Sequence, residues 1–108
     1  MVKQGEIIKV NLNLKPGHEQ LGCKNYICLS HELVNTTSNI TVFAPISNTD
    51  REYPFYVELE ETETTRKVLL NQVVAIDCDT RCYTYAESVS DDFLIELLDK
   101  VKLVLEKN

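Results

Sequence analysis

From Gly5 onward, apolar and polar positions alternate: Ile8, Val10, Leu12 and Leu14 fall on one side, Lys9, Asn11 and Asn13 on the other. A period of two is the mark of a half-buried strand. Lys15, Pro16 and Gly17 break it, and residues 16–25 (PGHEQLGCKN), with two glycines and a proline among polar side chains, read as a long connection. Tyr26 to Leu29 is apolar throughout and predicts a central second strand. The polar run 30–39 then separates it from a third strand, Ile40 to Ala44, that stops at Pro45. After Pro54, Phe55, Val57 and Leu59 alternate with Tyr56, Glu58 and Glu60 as a fourth strand, and the acidic, threonine-rich stretch 60–65 reads as a solvated hairpin tip. Lys67 to Asp77 predicts a long fifth strand, and Tyr83 to Tyr85 a short sixth. The tail changes period: Phe93, Leu94, Leu97, Leu98, Val101 and Leu105 recur at helical spacing behind Ser90, Asp91 and Asp92. This predicts one amphipathic C-terminal helix of about four turns, with its acids at the positive end of the helix dipole. Five or six strands and one terminal helix predict a mainly β fold, a small bent antiparallel barrel with the helix packed against it.

The chain has 108 residues, 44% of them apolar, enough for one hydrophobic core. A single domain over 1–108 is therefore expected. No apolar stretch approaches the roughly 20 residues that cross a bilayer, and the N-terminus carries no signal-like apolar segment. A cytoplasmic protein with no membrane partner is expected. Cys23, Cys28, Cys78 and Cys82 are spaced as C-x4-C and C-x3-C, matching neither a zinc knuckle nor a redox C-x-x-C. Free thiols are the simpler reading, and no metal or cofactor is expected.

The net charge is −6, distributed unevenly: residues 1–54 hold five acids and five bases, residues 55–108 twelve acids and six bases. A nucleic-acid binder needs cations for phosphate. Any such groove must therefore be built from the N-terminal half.

Three stretches, taken in order, resemble the MazF/PemK family of toxins. Gly5-Glu6-Ile7 is followed by Gly17-His18-Glu19-Gln20-Leu21-Gly22-Cys23-Lys24-Asn25, similar to the family's G-[DE]-[IV] strand and G-S-E-Q-x-G-x-R-P loop. Ala44-Pro45-Ile46-Ser47 is similar to its A-P-[IL]-T. Tyr53-Pro54-Phe55-Tyr56-Val57-Glu58-Leu59, with Leu69-Leu70-Asn71-Gln72-Val73 running on to Ile76-Asp77, matches its Y-P-x-x-V-x-L and L-x-x-Q-[IV] segments. The resemblance implies an SH3-like antiparallel β-barrel of the Kid, MazF and CcdB type with a C-terminal α-helix. It implies a homodimer that cuts single-stranded RNA, not DNA, without a metal, leaving a 2′,3′-cyclic phosphate and a 5′-hydroxyl. It also implies a cognate antitoxin that inhibits the toxin.

Such cleavage uses the 2′-hydroxyl as nucleophile, so the protein must take one proton, supply another and stabilise phosphorane charge. The family assigns this work to the loop Arg and to the Thr after A-P-I; here those positions hold Lys24 and Ser47. Serine keeps the hydroxyl. Lysine keeps the charge but loses the two-pronged guanidinium grip on phosphate. His18 stands in place of the family's loop serine and, as an imidazole, is a candidate acid or base. Glu19 is a candidate base, or a brace for Lys24. Gln20 and Asn25 are read as lining the RNA groove. Phe55, with Tyr53 and Tyr56, is a candidate base-stacking ring or a part of the core and its rim. His31 has no partner legible in the sequence, and Gln72, on a strand of Leu and Val, reads as a buried hydrogen-bonder. The alternative reading is a toxin-fold module that has lost cleavage and binds antitoxin, RNA or a protein target. It is motivated by the Arg-to-Lys and Pro-to-Asn departures and by the acidic balance.

Overall fold

The structure, a computed structural model, describes residues 2–11, 23–38, 40–59, 66–77 and 82–108. His18, Glu19, Gln20, the far end of the expected first strand and the acidic tip at 60–65 lie outside the described residues. Among the described residues seven strands form one antiparallel sheet: β1 Glu6–Asn11, β2 Cys23–Cys28, β3 Ile40–Asn48, β4 Tyr56–Glu58, β5 Arg66–Leu69, β6 Val74–Asp77 and β7 Cys82–Ser88. The described residues also form two α-helices, α1 Glu32–Thr37 and α2 Asp91–Leu105. The neighbour order is β4-β5-β3-β2-β1-β7, with β6 pairing the outer end of β3. The mainly β fold with a terminal helix is as the periodicity predicts. Among the described residues the hydrogen-bonded strands do not close on themselves, so the sheet is bent but open.

Four local departures from the sequence reading have physical causes. β2 begins at Cys23, so Lys24 and Asn25 lie on a strand and not in the preceding connection. β3 continues through Pro45 to Asn48. Proline has no N–H for a ladder, and β3 needs none there: it pairs β6 over Ile40–Phe43 and β5 over Ile46–Asn48, so Pro45 sits between the two ladders. The predicted fifth strand splits into β5 and β6 around a 3-10 turn at Leu70–Gln72, which leaves Gln72 exposed and not buried as its apolar neighbours suggested. The polar run 30–39 holds α1, capped by His31, whose Nδ1 accepts from the Leu33 N–H at 3.0 Å. Capping is therefore the role of a histidine with no partner legible in the sequence.

Both faces of the sheet are covered, because alternate residues of a strand point to opposite sides. Ile7, Ile27, Leu29, Ala44, Val57, Val68 and Leu70 pack with Phe93 and Leu97 of α2. Ile8, Val10, Tyr26, Cys28, Phe43 and Ile76 pack with Val2 on the other side. The helix starts at Ser90, whose Oγ accepts from the Phe93 N–H at 3.2 Å, with Asp91 and Asp92 in its first turn. On the second face Asn35 is buried: its Nδ2 donates to the Val2 and Ser30 carbonyls at 3.1 and 3.3 Å, and the Ser30 hydroxyl donates to its Oδ1. Ser30 Oγ also accepts from the Val42 N–H at 3.0 Å, joining α1 to β3.

Gly5 joins the two ends of this arrangement. Its N–H donates to the Cys28 carbonyl at 2.9 Å and its carbonyl accepts from Val89 at 3.0 Å, with φ at +88°. A Cβ there would stand 3.4 Å from Leu94 Cδ2. Gly5→Ala is expected to destabilise the fold by about 1–3 kcal/mol, from the left-handed backbone conformation alone, measurable as a lowered urea midpoint. Cys28 is free and buried, and burial, opposed by hydrogen bonds from Asn35 and Ser30, raises its thiol above the ordinary 9.0. A raised thiol favours the folded state while the unfolded chain keeps its proton. Its contribution is thus whole below about pH 9 and falls as pH rises further. Mass-resolved iodoacetamide labelling at pH 8 should leave Cys28 unmodified in the native protein and modify it in urea.

Candidate functional site

The site is built on the far half of β3. The β2–β3 ladder ends at Asn25 opposite Ile46, and Lys24 and Ser47 are the next residue along each strand. On its other side Ser47 lies opposite Lys67 of β5, and Lys67 lies opposite Glu58 of β4. Opposed residues of an antiparallel pair project to the same face with Cβ atoms about 4.5–5.5 Å apart. Three neighbouring strands therefore present one row of hydroxyl, cation and carboxylate, with the cation Lys24 next to its hydroxyl end on β2. Lys24 is exposed and Ser47 half-buried, while Lys67 is 9% exposed.

Lys67 also anchors the segment that follows β3. Its Nζ donates to the Arg51 carbonyl at 2.9 Å, the Arg51 N–H donates to Thr49 Oγ1 at 3.1 Å, and the Tyr56 N–H donates to the Tyr53 carbonyl at 2.9 Å. These bonds shape an open groove of about 450 Å³ lined by Glu52, Tyr53, Pro54, Tyr56, Glu58 and Lys67. Tyr53 is 38% exposed; its ring centroid is 5.1 Å from that of Tyr56 and 6.1 Å from that of Phe55, with the Arg51 guanidinium carbon 5.8 Å away.

The row brings together two of the residues singled out by sequence, Lys24 and Ser47, and separates others. Asn25, one residue along from Lys24, projects to the opposite face with Ile27 and Ile46, by strand alternation, and so does not line the same groove. Phe55 is half-buried against the core beneath α2, leaving Tyr53 as the more exposed ring. Lys67, Glu58 and Arg51 carry no sequence signal that separates them from ordinary surface charges; the β4–β5–β3 register joins Lys67 and Glu58 to Ser47, and the Lys67 hydrogen bond draws in the Arg51 backbone. Chemically, an exposed ammonium, a hydroxyl and a second ammonium in line can hold a phosphodiester, each donating to its oxygens. Among the described residues no three His, Cys, Asp or Glu side chains are grouped to hold a metal ion, and no helix is long and apolar enough to cross a membrane.

The antiparallel sheet with a C-terminal helix on one face is a MazF-like fold. It superimposes on the crystal structure of a MazE–MazF complex from Deinococcus radiodurans with a TM-score of 0.80, at 19% identity, covering 99% of this chain and 97% of that one. The structure of MazF alone from that organism gives a TM-score of 0.77 at 24% identity, covering 96% of each chain. An endoribonuclease in complex with its cognate antitoxin, from a mycobacterial species, gives 0.78 at 17%, covering 97% and 95%. No curated protein sequence matches the chain. The family model of the PemK-like, MazF-like toxins of type II toxin-antitoxin systems matches residues 3–105, and the chain belongs to that family.

Replacing Lys67 with Met removes a charge-assisted hydrogen bond from a nearly buried position. A loss of about 1.5–3 kcal/mol in unfolding free energy is expected, read from urea denaturation with an unchanged slope.

Proposed function

We propose that the chain, as one toxin domain over 1–108, is a metal-independent endoribonuclease that cuts single-stranded RNA in the cytoplasm. The observation that supports this reading is that the β2–β3 ladder ends at Asn25 opposite Ile46, the residues adjoining Lys24 and Ser47. The 2′-oxygen attacks the adjacent phosphorus and the bond from phosphorus to the 5′-oxygen breaks. The products are a 2′,3′-cyclic phosphate and a 5′-hydroxyl. Lys24 pairs with the non-bridging oxygens as negative charge grows on them and supplies the proton that the 5′-oxygen takes up. Ser47 donates a hydrogen bond to the same oxygens. Lys67, on the other flank of Ser47, adds a second positive charge to the site. Glu19 or His18, from the connection before β2, takes the proton of the 2′-hydroxyl, and Gln20 of that connection contacts the RNA.

The cations are local. Lys67 lies directly opposite Ser47 and holds the Arg51 carbonyl, so a chain of net charge −6 still gathers cations on this side of the sheet. As in the MazE–MazF and endoribonuclease–antitoxin complexes whose fold it shares, a cognate antitoxin is the expected protein partner. Its acidic, disordered segment would order over this patch. A homodimer is the expected assembly, for which α2 offers Ile95, Leu103 and Leu105, all exposed.

The test is incubation of the pure protein with a long single-stranded RNA in EDTA. The wild type is expected to cut it. Lys24→Ala should lower the rate by about 10²–10³-fold, the scale for losing one preorganised donor to transition-state charge. Lys24→Arg should retain or raise the rate, because a guanidinium adds a second parallel donor. Intact RNA at high protein concentration would favour instead a module that binds antitoxin, RNA or a protein target without cleavage.

A further inference from the structure

Resting on the reading of Ser47 as a phosphate contact, we infer that the groove beside it, walled by Tyr53 and Tyr56 and edged by Lys67 and Glu58, is a subsite for guanine. The groove begins one strand away from Ser47, because Lys67 is directly opposite it. A nucleotide flanking the scissile phosphate therefore reaches it without leaving the sheet surface. Its volume of about 450 Å³ admits one nucleotide and water.

The walls fit a base. Tyr53 is among the more exposed large apolar side chains of the chain, yet its ring is held by Tyr56 at 5.1 Å and by Arg51 at 5.8 Å. Held aromatic and guanidinium planes at a groove rim are stacking surfaces for unpaired bases. Stacking accepts any base, so selection must come from the edge.

There the structure sets one donor and one acceptor side by side. Lys67 has one ammonium hydrogen committed to the Arg51 carbonyl and two left to donate. Glu58 is opposite it across the β4–β5 ladder. Neither Glu58 nor Glu52, the other carboxylate of the groove, has a hydrogen-bond or ion-pair partner among the described residues. Guanine presents two adjacent N–H donors, at N1 and N2, beside the O6 acceptor. A carboxylate takes both N–H groups while the ammonium takes O6. Adenine and cytosine set a ring-nitrogen acceptor next to their amino group, and uracil has one N–H between two carbonyls. Each would turn a lone pair toward the Glu58 carboxylate, which disfavours them.

The test uses fully 2′-O-methylated hexauridylate, which has no free nucleophile, and versions with one central uridine replaced by guanosine, adenosine or cytidine. The chain has no tryptophan, so quenching of its tyrosine fluorescence reports binding. The guanosine version is expected to bind about tenfold more tightly than the other three, the scale of one good bidentate contact. Glu58→Gln should remove that preference, so that all four oligonucleotides bind alike, and Tyr53→Ala should weaken all four. Equal affinities, no binding by any of them, or a guanosine preference that survives Glu58→Gln would each overturn the subsite. Cleavage of unmodified RNA is scored separately. Guanosine-selective binding with intact RNA removes the catalytic reading and keeps the subsite, whereas cleavage without guanosine selectivity does the reverse.

Discussion

One strand, β3, and its register against its neighbours decide most of this structure. Over Ile40–Phe43 it pairs β6, over Ile46–Asn48 it pairs β5, and along its other edge it pairs β2. Because side chains alternate, a slip of one residue in any of these ladders would turn Phe43 away from its buried cluster and carry Ser47 to the face beneath α2. The burial of Phe43 and Ala44, both fully covered and on opposite faces, holds that register in place. Core packing at the middle of β3 thus sets the position of a polar residue at its end. The site needs no rigid loop of its own.

The same logic explains how an acidic protein assembles a cationic site. Lys24 and Lys67 are 43 positions apart in the sequence, and each sits among residues that look like ordinary strand or surface positions. They come to the same end of β3 only because β2 and β5 lie along opposite edges of its far half. Lys67 is tied by its hydrogen bond to the Arg51 carbonyl, which gives one side chain two tasks: holding the segment that carries Tyr53, and placing charge beside Ser47. A nearly buried ammonium without such an acceptor would be costly.

Where sequence periodicity failed, tertiary pairing had overridden a local rule. Pro45 reads as a strand end because proline lacks an N–H, but it lies where β3 changes partners and no donor is required. Lys67 to Asp77 reads as one strand because its residues are β-branched and apolar; it breaks at Leu70–Gln72, so that β5 and β6 reach opposite ends of β3. Lys24 and Asn25 read as loop residues because glycines precede them, yet they pair with Val10 and Lys9 of β1. His31 gains a function only through the short helix it caps.

By itself, the amino-acid sequence determined the mainly β character, the C-terminal helix with its Ser90 start, and the family motifs that single out Lys24 and Ser47. These are local properties, carried by side-chain period, capping chemistry and residue order along a few neighbours. Only the tertiary structure decided that the strands among the described residues do not close by hydrogen bonds, that Asn25 turns away from Lys24, and that Lys67 lies between Ser47 and Glu58 at the groove that Tyr53 lines. Each of those outcomes depends on which strands lie side by side and in what register, and that is settled by burial summed over both faces of the sheet, not by any short stretch of chain.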